Sequence, residues 1–121
     1  MLINLSNHPS STWSEHQLHA ARCSFGEVID IPFPEIEPEW DANQVEELAK
    51  IYLDKILAIA PENQAEPVVH LMGEYIFCFK LATMLKTNDI KVLVSTSRRQ
   101  SVINNDGTKT IKFSFTRFRE Y

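Results

Sequence analysis

Apolar residues along this chain form short continuous runs that alternate with longer segments of helical periodicity. Runs of about five apolar residues predict buried strands, whereas apolar positions spaced three and four apart predict amphipathic helices. The predicted strands are Met1–Leu5, Glu27–Ile31, Val68–Met72 and Ile90–Val94. The predicted helices are Ser14–Gly26, Asn43–Ala60 and Glu74–Lys86. This alternation is typical of a largely parallel sheet with helices packed on its faces.

Polar residues mark the ends of several predicted elements. Ser14 and Asp41 each precede a helical pattern, so we expect their side chains to cap the first and second helices. Gly26 is expected to end the first helix. Pro61 and Pro67 are expected to bracket a polar linker between the second helix and the third strand.

The pattern changes after Val94, where a polar segment precedes two alternating segments. Gln100–Ile103 and Thr110–Phe118 flank Asp106-Gly107, and Asp-Gly between strands is a strong hairpin signal. Arg117 falls in phase with the phenylalanines of its strand, so the strand ends or bulges there, or the arginine enters a site. The fold prediction is one Rossmann-like α/β domain over residues 1–121, a three-layer sandwich with a mainly parallel sheet and a C-terminal β-hairpin.

Composition narrows the classes of function. The net charge of −4 argues against a broad surface for long nucleic acids or membranes, which would be basic. The basic residues are concentrated between positions 91 and 119, so phosphate recognition is expected in the C-terminal third. No apolar run approaches the roughly 20 residues that span a bilayer, and Cys23 and Cys78 are too few for a disulfide framework. We therefore expect a cytoplasmic protein with two buried thiols.

Three predicted strands end in small polar clusters, which suggests a binding site. In open α/β sheets, ligands bind in the crevice outside the carboxyl ends of the strands. The clusters are Ser6-Asn7-His8, Gly73-Glu74-Tyr75 and Ser95-Thr96-Ser97-Arg98-Arg99. A glycine-rich dinucleotide fingerprint and a P-loop are both absent, which argues against a dinucleotide dehydrogenase or an NTPase. The hydroxyls and guanidinium groups of the third cluster suit phosphate oxygens, so the predicted ligand is an anion.

Each cluster also has an interpretation without a ligand. His8 is the best general acid or base, since its unperturbed pKa lies near neutrality, but it could equally be a surface residue in a capped turn. Gly73 would let a ligand approach the backbone, whereas Glu74 also suits the first turn of a helix by itself. The segment 95–99 could be a solvated turn, and Arg117 and Arg119 could serve a site, a dimer contact or a solvated tail.

The remaining histidines are not expected to act in catalysis. His16 and His19 lie three apart on the first helix without further ligands at matching spacing, so we expect them to face solvent. His70 lies within a buried strand and is expected to be a hydrogen-bonded core residue. No metal site is predicted.

Asn-His-Pro after the first strand, Met-Gly-Glu after a central strand and Ser-Thr-Ser-Arg after the fourth resemble small stand-alone CRISPR-associated Rossmann-fold (CARF) proteins. Some of these proteins are ring nucleases that cleave cyclic oligoadenylates. The resemblance implies a homodimer that binds such a ring, with cyclic tetra-adenylate as the expected size, and uses no cofactor. It also implies metal-independent cleavage, in which a ribose 2′-hydroxyl attacks the adjacent phosphate.

The resemblance also implies roles for residues of the three clusters. Ser6 and Asn7 would orient the ligand beside His8 as acid or base, and Gly73 with Glu74 would lie at the site. The phosphate contacts would come from Ser95, Thr96, Ser97, Arg98 and Arg99. The first loop has no lysine, so a mechanism that requires one there does not apply. The alternatives are a non-catalytic sensor of the same ligand and an interaction subunit that uses its apolar third helix.

Overall fold

A computed structural model describes residues 1–63 and 66–121 of the protein. Within these residues the chain forms five strands, three α-helices and one short 3-10 turn at Ser10–Thr12. The strands are β1 (Leu2–Ser6), β2 (Val28–Asp30), β3 (Val68–Met72), β4 (Lys91–Ile103) and β5 (Lys109–Glu120). The helices are α1 (Glu15–Phe25), α2 (Ala42–Asn63) and α3 (Tyr75–Thr87).

The five strands form one mixed sheet in the order β2-β1-β3-β4-β5. The first four strands are parallel, and β5 pairs antiparallel with β4. The structure therefore confirms the predicted α/β fold with a mainly parallel sheet and a C-terminal hairpin. The strand order reverses between β1 and β3, which is the switch point where open α/β sheets place their ligands.

The predicted helix caps are present. Ser14 Oγ accepts a hydrogen bond from the backbone N–H of Gln17 at 3.2 Å. Asp41 and Gln44 cap α2 reciprocally, because each side chain accepts from the backbone N–H of the other at 2.9 Å. Gly26 follows α1 with a φ of +82°, a left-handed conformation that glycine adopts without a steric penalty.

The second helix is longer than predicted. It continues through Pro61 to Asn63, so the expectation that a linker begins at Pro61 is wrong for residues 61–63. A proline removes one hydrogen bond and bends a helix, but it leaves the following residues free to keep helical dihedrals. Gln64 and Ala65, which also belonged to the predicted linker, lie outside the described residues.

The fourth strand differs most from the prediction. Residues 95–99 form part of β4 and pair with β5, so the prediction that this strand ends at Val94 is wrong, as is the alternative that 95–99 is a solvated turn. β3 pairs with β4 only from Lys91 to Leu93, and the remainder of β4 extends beyond the parallel sheet as a two-stranded arm with β5. Polar residues are tolerated in this arm because most of its surface is exposed to solvent.

The two faces of the sheet are covered differently. Side chains alternate between the faces along each strand. The closed face packs against α2 and α3, and it holds the larger core cluster, which includes Ile3, Leu5 and Phe77. The open face packs against α1 alone, with a small cluster of Leu2, Trp13, Ala21 and Leu93. A single helix leaves part of the open face uncovered.

The two cysteines occupy different environments. Cys78 is buried, as expected, but Cys23 is exposed, so the prediction of two buried thiols is wrong. Cys23 lies on the outer side of α1, where its Sγ is 3.4 Å from Nε2 of His19. No helix among the described residues has both the length and the apolar character to cross a membrane.

Candidate functional site

A cleft of about 740 Å³ opens on the open face, beside the carboxyl ends of β1 and β3. The loop after β1, the amino end of α1 and the base of the β4–β5 arm form its walls. Its volume lies within the range of about 300 to 1,000 Å³ that is typical of small-ligand sites. The lining residues are His8, Thr12, Trp13, Ser14, Gln17, His70, Met72, Ser95, Ser97, Phe113, Ser114 and Phe115.

A β-bulge in β5 shapes the outer wall of the cleft. Thr96 pairs with Arg117 while Ser97 pairs with Phe115, so Thr116 is an extra residue without a partner across the ladder. The extra residue brings Phe115 and Phe118 to the same face, with ring centroids 5.0 Å apart. Of the alternatives that the sequence leaves open at Arg117, the structure shows the bulge.

A polar network lies beneath the cleft and is centred on the buried side chain of Asn4. Its Nδ2 donates to a carboxylate oxygen of Asp30 at 2.8 Å and to the backbone carbonyl of His8 at 2.9 Å. Its Oδ1 lies 2.8 Å from Ser6 Oγ, which donates to it, and 2.8 Å from Nδ1 of His70. Carboxylate and carbonyl oxygens only accept, so they fix the orientation of the Asn4 amide.

The carboxylate of Asp30 anchors this network on the neighbouring strand. It accepts hydrogen bonds from the backbone N–H of Ser10 at 3.0 Å and from Ser10 Oγ at 2.6 Å. Partial burial acts to raise the pKa of Asp30, but the hydrogen bonds from Ser10 and Asn4 outweigh it and lower the pKa below its ordinary value. The carboxylate therefore stays ionised and holds the Asn4 amide in place.

The orientation of Asn4 determines the tautomer of His70. Because Asn4 Oδ1 is an acceptor, Nδ1 of His70 must carry the proton in the neutral ring. Burial, with a smaller effect of the His8 charge, lowers the pKa of His70 to about 4. Nε2 is then an unprotonated acceptor, and it is buried with no hydrogen-bond partner among the described residues.

Aromatic rings hold the His70 imidazole in place. It meets Trp13 edge-on with ring centroids 5.2 Å apart, and it meets Phe118 edge-on at 5.7 Å. His70 is thus the hydrogen-bonded core residue that the sequence predicted. Its place in the cleft wall was not predicted, nor was the network around Asn4. The sequence signal that pointed to this network was a single polar residue in each of two predicted apolar strands, Asn4 in Met1–Leu5 and His70 in Val68–Met72.

The first predicted cluster, Ser6-Asn7-His8, is divided by the structure. Ser6 is buried, and its Oγ accepts from the backbone N–H of His8 at 3.2 Å. The backbone N–H of Asn7 donates to the Met72 carbonyl at 3.2 Å, and Asn7 lines a separate pocket of about 270 Å³. Only the exposed side chain of His8 lines the main cleft, and its carbonyl accepts from Nε1 of Trp13 at 3.0 Å.

The second predicted cluster has a structural role. A Cβ atom on Gly73 would lie 2.2 Å from the ring of Phe33, so the missing side chain leaves room for that ring. Glu74 caps α3 by accepting from the backbone N–H groups of Ile76 at 3.1 Å and Phe77 at 2.8 Å. Neither Gly73 nor Glu74 lines the cleft, although Met72, the residue before them, does.

The third predicted cluster is split by the alternation of β4. Ser95 and Ser97 line the cleft. Arg99, two residues after Ser97, lies on the same face of β4. Thr96 and Arg98 lie on the opposite face. Thr96 Oγ1 donates to the Arg117 carbonyl at 3.0 Å and so supports the bulge.

The other basic and metal-binding candidates lie outside the cleft. Among the described residues that line it, none is a lysine or an arginine. Arg117 and Arg119 line a neighbouring groove beside Lys91. His16 and His19 are exposed, as predicted. Across residues 1–63 and 66–121, no three His, Cys, Asp or Glu side chains converge as a metal site would require.

The chemistry of the cleft suits a ligand that combines polar and aromatic parts. The amino end of α1 faces it through Ser14 and Gln17, where the helix dipole favours negative charge. Serines at the amino end of α1 and in β4 line the cleft, and Trp13, Phe113 and Phe115 add aromatic side chains. His8 adds an accessible imidazole for proton transfer.

Comparison with known proteins places the chain in one family. Residues 1–119 match the Uncharacterized protein MJ1673 family, and the chain belongs to that family. Neither a curated protein nor a solved structure matches the chain.

Proposed function

We propose that this member of the MJ1673 family is a CRISPR-associated ring nuclease, which binds a cyclic oligoadenylate in the cleft and cleaves it to linear products. One observation carries the proposal: an accessible imidazole, several hydroxyls and aromatic faces converge on one cleft at the switch point of the sheet. The class of ligand comes from the resemblance to stand-alone CARF proteins.

The aromatic residues of the cleft support recognition of adenine. Bases stack on aromatic side chains whatever their sequence, and each such stack is worth about 1–3 kcal/mol. Phe113 is 70% exposed on the arm, so its ring is free to receive a base. Phe115 stands beside it on the same face of β5 and is partly covered by the imidazole of His16.

The hydroxyl groups support recognition of the phosphates. Ser95 and Ser97 lie on the same face of β4 and line the cleft, as does Ser14 at the amino end of α1. Hydroxyls and helix amino ends both bind phosphate oxygens without requiring a basic side chain. Arg99 lies further along the same face of β4 and adds positive charge beyond the rim.

The reaction needs little from the protein, because RNA supplies its own nucleophile. The 2′-oxygen of one ribose attacks the adjacent phosphorus, the bond from phosphorus to the 5′-oxygen breaks, and the ring opens. The 2′-hydroxyl loses its proton and the leaving 5′-oxygen gains one. The products are a 2′,3′-cyclic phosphate and a 5′-hydroxyl. We assign the proton transfers to His8, whose side chain is accessible in the cleft.

We expect a second copy of the chain to complete the site. A ring of repeated nucleotides presents equivalent phosphates, which suits two equivalent clefts related by a twofold axis. The arm also exposes Ile103 and Ile111 to solvent on one face, an apolar surface that a second copy would cover. Sedimentation with and without cyclic tetra-adenylate measures this directly.

The decisive test is incubation of stoichiometric protein with cyclic tetra-adenylate in EDTA, followed by chromatography. We expect linear products that end in a 2′,3′-cyclic phosphate and a 5′-hydroxyl. His8→Ala should slow their formation by about 10² to 10⁴-fold, the usual contribution of a general acid or base. His19→Ala is the matched control, because His19 is an exposed histidine of α1 outside the cleft. The absence of linear product with the wild-type protein would refute the catalytic proposal.

A non-catalytic sensor of the same ligand is the second candidate function. It is favoured by the absence of lysine and arginine from the cleft lining, since cationic groups commonly stabilise a phosphorane. Calorimetry would then show binding without turnover, unchanged by His8→Ala. If cyclic tetra-adenylate does not bind at all, both ligand proposals fail and an interaction subunit remains.

A further inference from the structure

We infer that Nε2 of His70 accepts a hydrogen bond from a ribose 2′-hydroxyl of the bound ring, so that His70 positions the attacking oxygen. This inference rests on the proposed function. It assigns a role to a buried histidine that the proposed chemistry does not otherwise use.

The tautomer of His70 is fixed by its hydrogen bond to Asn4. Asp30 and the His8 carbonyl hold the Nδ2 side of Asn4, so Asn4 Oδ1 faces Nδ1 of His70 at 2.8 Å. The proton of the neutral ring must therefore lie on Nδ1. This leaves a lone pair on Nε2, with its direction set by the hydrogen bond on the other side of the ring.

Nε2 of His70 has no hydrogen-bond partner among the described residues. Buried polar atoms nearly always have a hydrogen-bond partner, and each exception needs an explanation. The side chains around His70 are otherwise satisfied: Asn4 has four hydrogen-bond contacts, and Ser6 bonds both Asn4 and the loop after β1. His70 itself is 1% exposed and lines the cleft. A donor on a ligand in the cleft would complete the network.

The chemistry of the proposed ligand identifies the group that would donate to Nε2. A cyclic oligoadenylate has no free 3′- or 5′-hydroxyl, and its phosphates carry no proton at neutral pH. Its only donors are therefore the ribose 2′-hydroxyls and the amino groups of adenine. The aromatic residues of the cleft would bind adenine by its faces, which leaves the ribose to meet the polar part of the lining, where His70 lies.

The two histidines of the cleft then have different roles. The buried His70 stays neutral at physiological pH, since its pKa is lowered to about 4. It is a constant acceptor and a weak base, which suits orientation of the hydroxyl more than removal of its proton. The exposed His8 remains the residue that exchanges protons.

Nitrogen NMR of the whole protein tests the inference. Histidine and tryptophan would be labelled with ¹⁵N in the His8→Ala variant, so that the ring stays intact during measurement. Cyclic tetra-adenylate would be compared with its 2′-deoxy counterpart, which keeps the bases and phosphates but has no 2′-hydroxyl. We expect both rings to shift the Trp13 indole resonance, and only the ribose ring to shift Nε2 of His70.

The possible outcomes separate this inference from the proposed function. If both rings shift Nε2 equally, the donor is not the 2′-hydroxyl and the inference is overturned. If Trp13 responds to both rings while Nε2 responds to neither, the ligand binds but His70 does not contact it. If neither ring moves Trp13 or Nε2, the proposed function itself fails.

A pair of conservative substitutions gives a second measurement. The His70→Asn amide can keep the donor toward Asn4 but lacks an acceptor at the Nε2 position, whereas His70→Gln places an amide oxygen near that position. We expect His70→Asn to lose the preference for the ribose ring over the deoxy ring, about 10-fold at most for one hydrogen bond. His70→Gln should retain part of it. An unchanged preference in folded His70→Asn protein would contradict the inference.

Discussion

The closed and open faces of the sheet bury very different side chains, although the same strands build both. The closed face holds the large apolar cluster beneath α2 and α3. The open face holds a smaller cluster beneath α1 and all three buried polar residues among those described, Asn4, Ser6 and His70. The closed face contributes most of the apolar burial that stabilises the fold, whereas the open face buries less apolar surface and forms a polar cleft.

The difference follows from how many helices cover each face. Two helices on the closed face exclude water from the central strands β1 and β3, so only apolar residues can be buried there without hydrogen-bond partners. A single helix on the open face leaves the carboxyl ends of β1 and β3 uncovered, and the Asn4 network satisfies the polar groups that remain. The site is thus a consequence of unequal helix packing.

A pair of phenylalanines tests this contrast and gives the largest expected effect. Phe77 on the closed face is fully buried against Phe33 and Tyr52. Phe77→Ala should lower the free energy of unfolding by about 3–5 kcal/mol, since it removes contacts and leaves a cavity. Phe113→Ala in the cleft should change stability by less than about 0.5 kcal/mol but weaken ring binding at least about fivefold. Urea unfolding measures the stability, and calorimetry measures the binding. A Phe77→Ala protein as stable as the wild type would contradict the contrast between the two faces.

The acid stability of the protein tests the open face. His70 is neutral in the folded state, with a pKa of about 4, whereas in the unfolded chain it has the ordinary value of 6.5. Between these values the unfolded state binds the proton more tightly, so the stability present above pH 6.5 is lost as the pH falls toward 4. The expected loss is about 3 kcal/mol in the free energy of unfolding.

The control for this pH dependence is His70→Asn, which should flatten the curve between pH 6.5 and 4 whatever its absolute stability. Asp30 does not interfere in that window. Its pKa is lowered from 3.8, so its stabilising contribution is lost only at lower pH. If wild-type and His70→Asn proteins lose stability in parallel, the buried neutral state of His70 is not responsible.

The smallest expected effect separates the two faces of the arm. Arg99 lies on the same face of β4 as Ser95 and Ser97, and the neighbouring Arg98 lies on the opposite face. Arg99→Ala should weaken ring binding about two- to fivefold at low salt, because exposed charge pairs are worth less than about 1 kcal/mol. The difference should shrink at high salt. Arg98→Ala is the matched control, and an equal loss in both variants would contradict the assignment of faces.

Local patterns in the sequence were sufficient for the order of the elements and for several helix ends. Apolar spacing identified the strands and helices, and Ser14, Asp41 and Gly26 marked helix ends because capping depends on only a few neighbouring residues. The Asp106-Gly107 hairpin was also visible in the sequence, whereas a bulge was one of the alternatives that the sequence left open at Arg117. The polar segment at 95–99 was placed outside the strand because most of the arm is exposed to solvent, so its residues show no apolar pattern.

The sequence by itself determined the α/β fold, and it identified His8 and residues 95–99 as candidate site residues. Only the tertiary structure decided which residues meet. It paired Asn4 with His70, 66 positions apart, and placed Phe33 over Gly73. It also divided the serines of β4 from Thr96 and Arg98. Periodicity is a property of neighbouring residues, whereas a site depends on strand order and on which helix covers each face.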